Sequence, residues 1–148
     1  MQEHLVARCG PYRMMFSSDN LEGIVPLPEG VRLQRSGRRA PRAALDLRAY
    51  LGTPAGDGGV RLGWHSSDGD RALDLLVDAV ESIVRCGPAD LAPLPLMPPR
   101  LRALCDGVRT GDDNGLCLRV RPDVVLPMAE PAERRQFLAA LRVAEVGP

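Results

Sequence analysis

Residues 73–85 read LDLLVDAVESIVR, and whether this run is a helix or a strand decides the fold class. Its length favours a helix. Its spacing and composition favour a strand. Leu75, Val77 and Ala79 fall at every second position, the period of a strand, and the alternation then slips at Val80, Ile83 and Val84. Val and Ile are stiff at the first side-chain torsion and pack well on a pleated surface. Just upstream, HSSDGD (65–70) contains Asp68-Gly69, a dipeptide suited to the tight turn of a hairpin. The run is therefore read as one strand that bends or bulges where the alternation slips.

Working outward, Val60–Trp64 is the neighbouring strand, preceded by the flexible loop GTPAGDGG (52–59). At the start of the chain, Leu5–Cys9 and Tyr12–Phe16 flank the turn Gly10-Pro11. Ser17, Ser18 and Asp19 can cap a short helix. Leu21, Ile24 and Val25 would form its apolar face, and Pro26 and Pro28 would stop it. RSGRRAPR (35–42) reads as a solvated loop, with no aromatic ring among its arginines on which a base could stack. Ala43–Leu47 resumes a strand, closed by a helical turn in LDLRAYLG (45–52). CGPADLAPLPLMPP (86–99) is a rigid extended connection, with a ligand for an SH3-type partner as the alternative. Leu101–Val108 and Leu116–Val120 read as paired strands around Asn114-Gly115, and Val124–Leu126 ends the β part. Pro131 opens a helix through about Ala144 with the stripe Phe137, Leu138, Leu141 and Ala144. Residues 1–128 are thus expected to form the β domain and residues 129–148 an amphipathic helix and tail. Short strands cut by Gly, Pro and Asp turns indicate an all-β barrel or sandwich.

Nineteen basic residues balance nineteen acidic ones, which argues against a general attraction to nucleic acid or an anionic membrane. With aromatics at 3%, the core must be built from close aliphatic packing. Cys9, Cys86, Cys105 and Cys117 have no zinc or redox spacing, and His4 and His65 are near no cysteine in sequence. No secretory leader or bilayer-spanning run is apparent, so the chain is expected to be cytoplasmic with reduced thiols. No nucleophile elbow, Walker loop or dinucleotide fingerprint is present. Asp112, Asp113 and Asn114 read as turn formers, and no spacing selects an acid pair from Asp46, Asp74 and Asp78. A small enzyme using Cys86 or an Asp pair is the enzymatic alternative, and the sequence places no activating base beside Cys86. No cofactor, metal or catalytic residue is expected, and a binding module is the better reading.

Three segments, in order, resemble the CheW-like family of chemotaxis coupling proteins. ALDLRAYLG (44–52) is similar to the family's P-x-x-D-L-R-x-x-L-G segment. Leu73–Pro95 is similar to its V-D-x-V strand and the acidic, Pro-rich connection that follows. Leu104–Leu126 is similar to its closing strands. Order and spacing agree over about residues 5–126. The resemblance implies two intertwined, SH3-like, five-stranded barrels with short helices and a groove between the lobes. It implies a non-enzymatic bacterial adaptor of a two-component system, joining a chemoreceptor hairpin tip to the regulatory domain of a CheA-type histidine kinase. Neither a nucleic-acid partner nor direct membrane insertion is implied. The family's D-L-R falls on Asp46, Leu47 and Arg48, and its V-D-x-V on Val77, Asp78 and Val80. Gly37, flanked by Arg35 and Arg38 in a shortened loop, is the nearest counterpart of its N-L-R-G segment. The candidate partner-binding residues are therefore Arg35, Gly37, Arg38, Asp46, Arg48, Val77, Asp78 and Val80, with Asp46 or Asp78 also suited to an ordinary stabilising pair with Arg. A diverged CheW-like module in another two-component or motility pathway is the alternative.

Overall fold

The computed structural model describes residues 2–27, 43–53, 58–65, 72–111 and 115–121. The chain opens with a hairpin, β1 (Gln2–Cys9) and β2 (Tyr12–Ser17), paired from His4 opposite Ser17 to Cys9 opposite Tyr12. Gly10 turns this hairpin at φ +59°, and a β-carbon there would meet the Thr53 side chain at 2.6 Å. Only glycine satisfies both conditions.

After one 3-10 turn (Ser18–Asn20) comes β3 (Leu21–Leu27), antiparallel to β5 (Gly59–His65). This corrects the helix expected over Leu21, Ile24 and Val25. β-branched Ile24 and Val25 favour the pleated conformation. At 47% and 42% exposure they have no buried surface to cover, so the amphipathic argument for a helix loses its force. Pro26 is tolerated because β3 is an edge strand. β4 (Ala43–Asp46) runs parallel to β6 (Ala72–Val77) and passes into α1 (Leu47–Leu51), as the sequence suggests.

The deciding run, residues 73–85, is extended throughout but belongs to two strands in two sheets. β6 ends at Val77, opposite Val60 of β5. β7 (Ala79–Cys86) begins opposite Arg8 of β1. Asp78 is the single residue between them. The slip in the alternation is also real. The β1–β7 register jumps from Val6–Ser82 to Ala7–Val80, leaving Glu81 as an extra residue.

A 3-10 turn (Pro88–Asp90) and the two-residue β8 (Leu91–Ala92) lead through the Pro-rich connection to α2 (Pro99–Leu104). α2 is a second correction, because a strand was expected from Leu101. Pro99 sits in the first turn, where its fixed φ suits a helix and its missing N–H costs nothing. Leu101 and Leu104, three apart, then bury one face. β9 (Cys105–Gly111) and β10 (Gly115–Val120) pair antiparallel as expected, and β10 also runs parallel to β2.

The fold is therefore all-β with short helices, as expected. Its described strands form one sheet of six, ordered β7-β1-β2-β10-β9-β8, and one of four, ordered β3-β5-β6-β4. The expected division was five and five. Val124–Leu126 and the helix over 131–144 lie outside the described residues.

One core joins the two sheets. Leu5, Ala7, Met14 and Phe16 from the larger sheet meet Leu62, Trp64, Leu73, Leu75 and Val77 from the smaller. Phe16 and Trp64 contact edge to face, with centroids 5.4 Å apart at 76°. The opposite face of β1 and β2 places Val6 and Met15 with Cys86 and Cys117 in a smaller cluster, so these two strands are buried on both sides.

His4 is 1% exposed on β1. Burial pulls its pKa below the ordinary 6.5, against the opposing effect of the Gln2 carbonyl, to which Nδ1–H donates at 3.2 Å. The folded state thus prefers the neutral ring. The His4 contribution to stability is fully present above pH 6.5 and is lost as pH falls below 6.5 towards the folded value, because the unfolded chain then binds the extra proton. Urea midpoints at pH 7.5 and 5.5 test this: a His4→Gln chain should show the smaller drop. Equal drops in both chains would remove His4 as the cause.

Candidate functional site

An open groove of about 720 Å³ lies on the larger sheet. One wall is the β1–β2 turn, with Arg8, Pro11 and Tyr12. The facing wall is the Pro-rich connection, Pro95 to Pro98. Leu101 of α2 and Leu116 and Leu118 of β10 lie between. Leu101 and Leu118 are buried, whereas Leu116 is 49% exposed and Leu96 is 99% exposed. The apolar surface is thus held open by prolines whose φ is fixed. At the rim, Arg13 Nε donates to Glu81 Oε2 at 2.7 Å. Glu81 is the residue that the β1–β7 bulge sets out of register. Tyr50 and Arg100 tie α1 to α2 beside this region. The Tyr50 hydroxyl donates to the Arg100 carbonyl at 3.2 Å, and Arg100 Nη1 returns a bond to the Tyr50 carbonyl at 2.9 Å. The groove offers apolar contact with a charged rim, the chemistry of protein recognition.

The described residues singled out from the sequence lie elsewhere. Asp46, Arg48 and Asp78 converge on one another. Asp46 caps α1 by accepting from the Arg48 backbone N–H at 3.0 Å. Its carboxylate also accepts from Arg48 Nε at 3.1 Å and Nη2 at 3.2 Å. Arg48 Nη1 donates to Asp78 at 3.4 Å. The guanidinium is 3% exposed, and its hydrogen bonds to Asp46 hold its pKa above the ordinary value against the cost of burial. Val77 is fully within the shared core, and Val80 packs partly buried against it. Arg35, Gly37 and Arg38 lie outside the described residues.

Sequence reasoning passed over Tyr12, Met97, Leu101, Leu116 and Leu118. A readable signal was the pair Leu96-Met97 between prolines: Leu96 is left exposed, whereas Met97 packs partly buried against the shared core.

The thiols are arranged for packing. Burial pushes Cys9 and Cys105 up to about 12 and Cys117 up to about 11, and it also raises Cys86. All four are free and buried. Iodoacetamide at pH 7.5 is expected to label the native chain at least tenfold more slowly than the urea-unfolded chain, because the thiolate is the reacting form. One fast thiol in the native chain would contradict this. Among the described residues, no group of three or more His, Cys, Asp or Glu side chains could hold a metal ion. No described helix is long and apolar enough to cross a membrane.

The two β-sheets over a shared core resemble the fold of a CheW scaffolding protein. The likeness can be stated against a solved structure. The chain matches the scaffolding protein TtCheW from Thermoanaerobacter tengcongensis with a TM-score of 0.60 at 12% identity, over 81% of this chain and 88% of that one. No protein-family model and no curated protein sequence matches the chain. At 12% identity the likeness is one of fold.

Proposed function

We propose that this protein is a cytoplasmic, non-enzymatic adaptor that couples the hairpin tip of a chemoreceptor to the regulatory domain of a CheA-type histidine kinase. The observation that carries the reading is the apolar groove between Tyr12 and the Pro95–Pro98 wall, on a fold shared with a scaffolding protein. An amphipathic helix from a receptor tip would lay its apolar face on Leu96, Leu116 and Tyr12. Arg13 and Glu81 at the rim would select register rather than add much affinity. In this reading Asp46, Arg48, Val77, Asp78 and Val80 serve docking by holding the lobes in place. Arg35, Gly37 and Arg38 contribute receptor contacts.

Leu116→Arg tests the groove, because this half-exposed side chain can be charged without burying the charge. The variant is expected to keep its melting temperature. It should lose at least tenfold in affinity for a soluble receptor hairpin fragment, about 1.4 kcal/mol. Unchanged affinity would remove the groove from the docking surface. A diverged module in another two-component or motility pathway is the second reading, favoured by the low identity to TtCheW and the lack of a matching family model. Binding to the kinase regulatory domain separates the two.

A further inference from the structure

We infer that the buried ion cluster around Arg48 is the latch that sets the position of the groove wall, so that seating of one lobe on the other and the shape of the groove are one event. Four chain segments meet there. Arg48 comes from α1 on the four-stranded sheet. Asp78 is the one residue by which the chain passes from that sheet to the other. Its Oδ1 accepts from Arg48 Nη1 at 3.4 Å, and its Oδ2 accepts from the Gly10 N–H at 2.6 Å. The Asp78 N–H in turn donates to the Arg8 carbonyl at 3.0 Å.

Arg8 and the residues following Gly10 form one wall of the groove. Asp78 thus links the turn of the larger sheet, through three hydrogen bonds, to a guanidinium anchored in the smaller one. Close packing reinforces the link. Thr53 donates through N and Oγ1 to the Arg48 carbonyl, and its side chain fills the space where a Gly10 β-carbon would stand. On the other side, a β-carbon at Gly59 (φ +110°) would meet the Val77 carbonyl at 2.5 Å and Arg48 Nη1 at 3.2 Å. The site is filled on both flanks, so the turn cannot shift without Arg48 or Asp78 letting go.

A charged pair is a suitable latch because its partners are not interchangeable with apolar packing. A buried guanidinium that loses one carboxylate is poorly compensated, so the arrangement is closed or open rather than graded. The relevance to docking rests on the groove reading above, but the latch itself can be tested without any partner.

The measurement is amide hydrogen exchange on the full chain, comparing the wild type with Arg48→Gln and with the near-isosteric Asp78→Asn. Exchange over residues 8–13 and at Asp78 is expected to rise at least tenfold in both variants, while amides of β9 and β10 stay within about twofold of wild type. Uniform acceleration in every strand would overturn the inference, as the cluster would then serve only global stability. Unchanged exchange over 8–13 would overturn it as well, and so would failure of both variants to fold. Loss of receptor-fragment binding by Leu116→Arg has no bearing on this result, so the groove reading and the latch stand or fall separately.

Discussion

Placing aspartate at position 77 is expected to remove most of the stability of the chain, about 3–5 kcal/mol. Val77 is 1% exposed and ends β6 within the core shared by both sheets, among Leu62, Leu75 and Trp64. A carboxylate there loses its water and gains no hydrogen-bond partner from the aliphatic side chains around it. The Arg48 guanidinium, which bonds the adjoining Asp78, is already held by Asp46 and Asp78. Typical domains have only 5–15 kcal/mol in all, so the variant should sit close to its unfolding threshold. Trp64 is the only tryptophan and lies in the same core, so its fluorescence reports the transition directly during a urea titration. A midpoint matching that of the wild type would mean that the run 73–85 does not line the core, and the two-sheet reading would lose its central support.

That run shows how far the sequence could be read. The strand character of residues 73–85 was visible in its β-branched residues and its slipping alternation, and the slip marked a real bulge at Glu81. The transfer from one sheet to the other at Asp78 was not visible. A change of hydrogen-bonding partner leaves no trace in a pattern of apolar and polar residues. The helix wrongly expected after Ser18 and the strand wrongly begun at Leu101 fail for related reasons. At Leu21–Leu27 an edge strand with both faces exposed carries no alternation to read. At Pro99–Leu104 the two buried leucines, three apart, share a helix face and would fall on opposite faces of a strand, and the proline in the first turn points the same way.

The candidate site divides in the same way. Asp46, Arg48 and Asp78 could be named from resemblance, and pairing with Arg was foreseeable from charge alone. The bond from the Gly10 amide to Asp78 joins positions 68 residues apart and needs the fold. The groove is less legible still. Its lining comes from the first hairpin, the proline connection, α2 and β10, and each contributes ordinary apolar residues that mean nothing until the topology brings them together.

Trp64→Ala is expected to cost about 3–5 kcal/mol, and Trp64→Phe much less. The indole is fully buried, and alanine would leave a cavity against Phe16, Leu62 and Leu73 that a rigid two-sheet core cannot collapse to fill. It would also remove the edge-to-face contact with Phe16. Phenylalanine keeps most of the ring volume and can preserve that contact. What it discards is the Nε1–H, which has no hydrogen-bond acceptor among the described residues although it is buried. A buried donor without a partner is itself destabilising by about 1–3 kcal/mol, so its removal offsets part of the lost packing. The difference between the two variants therefore separates volume from polarity at one position. Thermal melts followed by far-ultraviolet circular dichroism, which does not depend on tryptophan, would measure it. Equal losses for Phe and Ala would show that the indole N–H is satisfied in solution and that its bond, not its bulk, holds the centre of the core.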